Sequence, residues 1–468
     1  MRKAAKLYAL LGVLVVICIA AFAVSHHEEK KEEIRTSGEA IMEIAADTIT
    51  NISWTNDSGT YSFTKADDSW SYDDDTAFPV DDSKVNDLLT QFESFKAAFS
   101  IENVEDYAQY GLDEPQYSIS VTADGETYTL QLGDFSKMDE ERYVSLGDGN
   151  AYLAEHDPME EFDAVPDDLI LNDTIPQFDT ATEITFAGAE NYTVVRNEDG
   201  TSICDDDVYF ADEKPLDTSL VESLLSDIEG LGLTTYASYN VSDEELQTFG
   251  MAEPELTISL NYTTGEDDEA ESGSFTLSVS RNPEEVAAYE EAQENDETLP
   301  TVTYYARLND SQIVYTISQS DYNDLTAVSY DTLRHQKVFT ADFDTVTSIE
   351  ATLNGETYTF TYHEADEEDE DDESTWMYGD ASFDVYSLRT ALRSLTATEF
   401  TDDEATGQEE ISVKLYLDNE DYPTFTLTLY RYNGTSCLAV VDDVPVAYVS
   451  RTQTVDIIEA VNEVTLGE

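Results

Sequence analysis

Apolar positions alternate with Thr, Ser and charged residues in three stretches of the chain that open alike. DTITNI at 47–52, DTATEI at 179–184 and DTVTSI at 344–349 share the pattern Asp-Thr-x-Thr-x-Ile. Each runs into a period-two segment. Ile52 and Trp54 precede Tyr61 and Phe63, and Ile184 and Phe186 precede Tyr192 and Val194. Ile349 and Ala351 face Tyr358 and Phe360 across Asn354-Gly355, a strong two-residue hairpin turn. An apolar residue at every second position, with Thr between, suits a half-buried antiparallel strand. A third short strand is expected at SWSY (69–72) and TWMY (375–378), with SICD (202–205) in the second copy. Trp70 with Tyr72, and Trp376 with Tyr378, are expected to put an aromatic on the core face.

The period then lengthens. Val85, Leu88, Leu89, Phe92 and Phe95 recur at helical spacing after Asp81-Asp82-Ser83, a stretch suited to capping a helix start. Leu220, Val221, Leu224, Leu225 and Ile228 repeat the pattern behind Asp217, and Val385, Leu388, Leu392 and Leu395 do so behind Asp384. Next, YGLDEP (110–115) and FGMAEP (249–254) turn the chain. Gly111 and Gly250 can supply a positive φ, and Pro115 and Pro254 suit a strand's first residue, where no ladder donor is needed. The third copy keeps Gly407 and has Ile411 in place of the proline.

Alternating strands follow, beginning with SISV (118–121) and TISL (257–260). Tyr128, Leu130 and Leu132 correspond to Phe275, Leu277 and Val279, and to Phe425, Leu427 and Leu429. The last strands carry Tyr152, Tyr315 and Tyr448, and a short helix closes each copy at 158–162, 321–325 and 455–461. The repeat therefore reads β-β-β-α-β-β-β-β-α, long enough for each copy to hold its own core.

These patterns predict an α+β chain: an N-terminal transmembrane helix followed by three tandem related domains, each a mainly antiparallel sheet with covering helices. The expected boundaries are a basic cytoplasmic N-terminus at 1–6, the membrane helix at 7–24, a charged linker at 25–46, and repeat domains at 47–178, 179–343 and 344–468. An insertion at 263–300 in the second copy contains a helix-like stretch from Pro283 to Glu294. The third copy carries EADEEDEDDE at 364–373. The short linkers 172–178 and 335–343 contain apolar residues, which favours packed neighbours over freely swinging domains.

The membrane expectation rests on Leu7–Val24, an uncharged run preceded by Arg2, Lys3 and Lys6. Basic residues before the run place the N-terminus inside and the bulk outside. Cleavage after Ala23 is the competing reading, because Ala21-Phe22-Ala23 has the A-x-A form of a signal-peptide site.

Composition then excludes several functions. Lys plus Arg number 22 against 102 Asp plus Glu, a net charge of −80. Such a surface repels nucleic acid and anionic lipid. Cys204 and Cys437 lie in different copies without metal-ligand spacing, so two buried thiols are expected and a disulfide scaffold is excluded.

YGLDEP, with its preceding helix and following strands, resembles the bacterial "domain of unknown function 4340" family. DDLILNDTIPQFDTATEI (167–184) and DTLRHQKVFTADFDTVTSI (331–349) are similar to that family's bridge into its next unit. The resemblance covers most of 47–468, and the third copy departs by losing the proline. It implies a membrane-anchored extracytoplasmic protein, often encoded beside ABC-type transporters or gliding-motility auxiliary components. It carries over no catalytic residues.

Chemistry is sparse. The histidines 26, 27, 156, 335 and 363 make no H-x-x-x-H or Cys/His set, and no G-x-S-x-G elbow or Gly-rich phosphate loop occurs. Asp73, Asp74 and Asp75, and likewise Asp205, Asp206 and Asp207, follow the third expected strand and are candidate calcium ligands. They lack an EF-hand's alternating ligands and closing Glu, and a solvated turn is the simpler reading. The expectation is a non-enzymatic envelope protein without cofactor, acting by protein contact, with the resemblance implying a role accessory to ABC-type transporter subunits. The alternative is an acidic cell-surface module binding calcium or glycan.

Overall fold

The computed structural model describes residues 38–197, 207–212, 214–265, 270–365, 374–420 and 422–466. Leu7–Val24, Cys204, Asp205 and Asp206 lie outside them. Among the described residues no helix is long and apolar enough to cross a membrane.

The fold is α+β, built on three nine-stranded antiparallel sheets. The first contains β1 (Glu39–Met42), β2 (Ile49–Thr55), β3 (Thr60–Ala66), β4 (Ser69–Tyr72), β5 (Phe95–Ile101), β6 (Tyr117–Ala123), β7 (Glu126–Ser136), β8 (Glu141–Ser145) and β9 (Ala151–Ala154). Its order is β4-β3-β2-β6-β7-β8-β9-β5-β1. The second contains β10 (Thr180–Ala187), β11 (Asn191–Arg196), β12 (Tyr209–Ala211), β13 (Lys214–Pro215), β14 (Tyr236–Ser238), β15 (Leu256–Thr264), β16 (Glu271–Arg281), β17 (Tyr304–Leu308) and β18 (Val314–Ile317). The third contains β19 (Val346–Leu353), β20 (Glu356–His363), β21 (Thr375–Tyr378), β22 (Ala381–Phe383), β23 (Ala397–Phe400), β24 (Glu409–Leu417), β25 (Thr424–Arg431), β26 (Ser436–Val441) and β27 (Val444–Ser450). The second and third sheets run β13-β12-β11-β10-β15-β16-β17-β18-β14 and β22-β21-β20-β19-β24-β25-β26-β27-β23. Eight positions therefore recur in one order. The ninth strand sits on one edge in the first sheet (β1) and on the other in the second and third (β13, β22).

The helices are α1 (Asp82–Leu89), α2 (Met159–Phe162), α3 (Thr218–Glu229), α4 (Asp243–Thr248), α5 (Pro283–Glu294), α6 (Gln319–Thr326), α7 (Tyr330–Leu333), α8 (Tyr386–Arg393) and α9 (Arg451–Leu466). In each copy one helix (α1, α3, α8) carries the chain from one side of the sheet to the other, leading into β5, β14 or β23. Their starts are fixed locally: Asp81 accepts from Ser83 and Lys84 N, Asp217 from Ser219 N, and Asp384 from Tyr386 N. The caps at Asp81 and Asp217 are each worth about 1 kcal/mol, whereas Asp384 stands one residue ahead of the N-cap position of α8. Their apolar stripes, Val85/Leu88/Leu89, Val221/Leu224/Leu225/Ile228 and Leu388/Ala391/Leu392, are buried. In the first sheet this stripe meets Ile52, Trp54 and Phe63 in one core. Trp54 stacks on Phe63 at 5.4 Å, meets Phe162 edge-on, and its indole N–H donates to Ala164 O at 3.0 Å.

The opening hexapeptide acquires a physical role. Ladder register slips between Ile49 and Asn51, between Ala181 and Glu183, and between Val346 and Ser348. The residue left over at each bulge is the motif's second threonine. Thr50, Thr182 and Thr347 each donate from Oγ1 to a carbonyl of the neighbouring strand, at Thr122, Asn261 and Tyr416, over 3.3, 3.1 and 3.2 Å. A bulge costs a ladder bond, and a threonine hydroxyl restores an acceptor's partner. The motif's isoleucines 52, 184 and 349 are fully buried.

Several expectations need correction. Phe95 opens strand β5 and does not continue α1, because a 3-10 turn at Thr90–Ser94 intervenes. Every copy thus has a strand after its crossing helix that the periodicity missed. The linker expected at 25–46 already contains β1, and Met42 and Ile44 are core residues. The insertion expected at 263–300 is narrower: β15 and β16 pair in register from Leu256↔Val279 to Thr264↔Glu271, and only α5 and its flanks, between β16 and β17, are extra. Pro115 and Pro254 stand two residues ahead of β6 and β15 rather than at their first residues. The strand paired with β11 is Tyr209–Ala211, beyond the SICD expected for it. The closing helix expected at 455–461 runs from Arg451 to Leu466.

The chain forms two compact units, Met1–Asp173 with Ser238–Asn240, and Thr174–Ala237 with Val241–Glu468. The second and third sheets share the second unit. The linker 335–343 is sewn onto the third sheet: Ala397 N donates to Gln336 O, Val338 N to Leu395 O, and Val338, Phe339 and Phe343 enter the third core.

Candidate functional site

The acidic turns lie at unlike places. Asp73–Asp75 follow β4, whereas Asp207 precedes the equivalent β12, so the two sets do not occupy one repeat position. Within the first unit each of the three carboxylates has a donor. Asp73 accepts from Ser62 Oγ, Asp74 from Tyr72 OH, and Asp75 from Ala77 N and Tyr239 OH. The Tyr239 and Ala77 bonds hold the Asp75 carboxyl below the usual range. Asp207 is buried and faces His335 Nε2 at 2.8 Å, with Asp217 3.7 Å from the other ring nitrogen. Among the described residues no group of three or more His, Cys, Asp or Glu could hold a metal ion.

The repeat markers are mostly packing devices. Trp70 and Trp376 are buried, and Tyr72 and Tyr378 pack on Phe63 and Phe360. Tyr152, Tyr315 and Tyr448 are buried, and the first and last donate to Asp148 and Asp403. Gly111 and Gly250 have φ of 65° and 70°, as their turns require. Gly407 serves a different need: a Cβ there would stand 1.8 Å from Arg431 O, so only glycine allows the backbones to approach.

One well-connected polar cluster among the described residues joins positions far apart in the sequence. Glu255 immediately precedes the first core residue of β15, and Arg281 lies two residues past Val279 on β16. Arg281 donates from Nε and Nη2 to Glu255 over 3.0–3.2 Å, and Tyr322 on α6 donates its hydroxyl to the same carboxylate. The guanidinium also lies 5.5 Å from the Tyr322 ring. Burial and the bond to Glu255 push the Tyr322 phenol up. A cavity of about 610 Å³ opens beside this cluster, walled by Phe186, Tyr192 and Tyr322. The Tyr192 hydroxyl is buried without a hydrogen-bond partner, and burial raises its pKa.

The third sheet repeats the pair at the same offsets. Glu410 precedes Ile411, Arg431 lies two past Leu429, and Arg431 donates to Glu410. Here the closing helix contributes a second cation, Arg451, at 3.4 Å. In the first sheet Arg142 does the equivalent work, forking onto Asp157 at 2.7 and 3.0 Å and donating to Gly133 O. In all three copies charged groups tie a central strand to the segment that closes the copy. A repeated Glu just ahead of a strand's first core residue and an Arg ending its partner strand was the available signal; the partners are 26 and 21 residues apart.

The family whose model is described as "Domain of unknown function (DUF4340)" matches residues 70–254 and 208–413, well over half the chain, and the chain belongs to it. Each match begins at the third strand of one copy, at β4 or just ahead of β12, and ends in the turn or strand that follows the crossing helix of the next copy. No curated protein and no solved structure matches the chain.

Proposed function

We propose that the chain is a membrane-anchored extracytoplasmic protein, held by Leu7–Val24, that works through protein contacts without catalysis. The observation that carries this reading is the threefold repetition of one sheet order with its strongest charged groups turned on one another. Charges spent on locking strands to closing segments serve geometry, and a repeated scaffold multiplies contact surface. The uncharged run behind Arg2, Lys3 and Lys6 supports the anchor, and the net charge of −80 supports exposure to solvent outside the membrane. Family membership supports a role as accessory to an ABC-type transporter.

Two measurements test this. Protease added to intact cells stripped of outer layers is expected to degrade the domains while sparing the N-terminal residues. Affinity purification from detergent-solubilised membranes is expected to enrich a permease or ATPase subunit. Purification that enriches neither would overturn the transporter role.

A further inference from the structure

The third sheet carries a groove between α8 and the C-terminal half of α9, with a volume of about 770 Å³. Tyr386, at the start of α8, and Leu466, at the end of α9, both line it. They are 68% and 65% exposed, the two most exposed large apolar side chains among the described residues of the second unit. Solvent-exposed apolar residues standing together at one groove mark a contact surface more often than isolated ones do.

The walls between them differ. On α9, Ile457 and Val461 are fully buried in the core. Asp456, Glu459 and Glu463 fall at i, i+3 and i+7 and line the groove. No lysine or arginine is among the lining residues, so the charged groups that line this wall are all carboxylates. Along α8 and at its C-cap the lining residues Ser387, Thr390, Ala391 and Ser394 are short, which lets another backbone approach closely.

We infer that this groove docks one helix of a partner protein, an amphipathic segment with a cationic flank. The inference rests on the reading that the protein works by contact. The eleven residues from Asp456 to Leu466 span about 15 Å of helix, room for three turns of an incoming one. Apolar residues of that helix at i, i+3/i+4 and i+7 would cover Tyr386 and Leu466. Its Lys or Arg residues would meet the carboxylate row, and charge complementarity of this kind selects the partner and speeds encounter. A second copy of the chain is the wrong occupant, because its net charge of −80 opposes the acidic wall. A single helix in such a groove buries less than a standard interface, so affinity in the micromolar range is expected.

The experiment uses the full chain in phosphatidylcholine nanodiscs, with empty discs as reference. The probe is a fluorescent fourteen-residue Leu/Lys peptide that forms an amphipathic helix, read by anisotropy. Its control is a scramble of identical composition without an apolar face. The helix is expected to bind and the scramble to bind at least about ten-fold more weakly. E459Q/E463Q removes two of 102 acidic groups and is expected to cost a further ten-fold or so, with Tyr386→Ala costing somewhat less. All three positions are exposed or at a groove wall, so melting curves should be unchanged. Equal binding of both peptides, or binding unaffected by E459Q/E463Q and Tyr386→Ala, would mean attraction to bulk charge and overturn the inference. Transporter co-purification that persists in E459Q/E463Q would likewise overturn the groove while leaving the contact function standing.

Discussion

Glu255 and Glu410 occupy one position in two sheets, each with an arginine from the paired strand, yet their surroundings differ. Glu255 is 36% exposed and shares its charge between Arg281 and a phenol, Tyr322. Glu410 is 6% exposed and faces two guanidinium groups, Arg431 and Arg451, and Arg451 Nε is buried without a hydrogen-bond partner. One backbone plan therefore supports two electrostatic solutions. A half-exposed carboxylate gains little from pairing, because water screens it. A buried carboxylate between two cations cannot be removed without leaving charge uncompensated. The fold tolerates either, provided that the closing helix offers a donor.

That contrast can be broken in order of severity. Gly407→Ala should have the largest effect, because its Cβ would collide with Arg431 O and push apart the strand that carries the pair. A loss of about 3 kcal/mol or more in urea unfolding is expected. Glu410→Gln should follow at about 2 kcal/mol, since both arginines lose their counter-charge. Glu255→Gln should cost about 1 kcal/mol or less in the same measurement. If the two glutamines cost the same, burial is not what separates the sites. Thr182→Val, which empties the bulge of its hydroxyl, should cost about 1 kcal/mol, and Thr50→Val and Thr347→Val should match it.

Titration sharpens the same comparison. The Tyr322 phenol is raised in the folded chain, by burial first and by Glu255 second. The folded state therefore favours the neutral hydroxyl. That contribution is fully present below the unfolded tyrosine value of about 10 and is lost as pH rises toward the higher folded value. Unfolding free energies of Tyr322→Phe, measured from pH 9 to 11.5, should fall less steeply than those of the parent. An identical slope would remove the phenol from the account. Beside Glu410 the buried Cys437 thiol is pushed up by burial first, with the Glu410 charge adding to it, so Glu410→Gln should also make the alkaline fall shallower.

Much of the scaffold was legible. Alternation placed β2, β3, β6, β7 and β9 and their counterparts, and Asp81, Asp217 and Asp384 marked the helix starts, because periodicity and capping are local. Strands β5, β14 and β23 escaped. Phe92 and Phe95 stand at helical spacing, and only a 3-10 turn between Leu89 and Phe95 ends the helix early. The polar clusters escaped for another reason: Tyr322 and Glu255 are 67 residues apart, so no local pattern joins them. The acidic triplet Asp73–Asp75 stood out by composition, and its carboxylates accept from hydroxyl and amide donors, in keeping with the solvated turn that was the simpler reading.

Asp-Thr-x-Thr-x-Ile shows where the division lies. The sequence by itself determined that three copies start there, that isoleucine turns inward and that a strand follows, because side-chain period and hydrophobicity are properties of adjacent residues. Only the tertiary structure decided that the second threonine sits on a bulge, that Gly407 must lack a side chain, and that Glu255 and Glu410 meet different partners. Those outcomes depend on which strand comes to lie alongside, and packing across the sheet settles that.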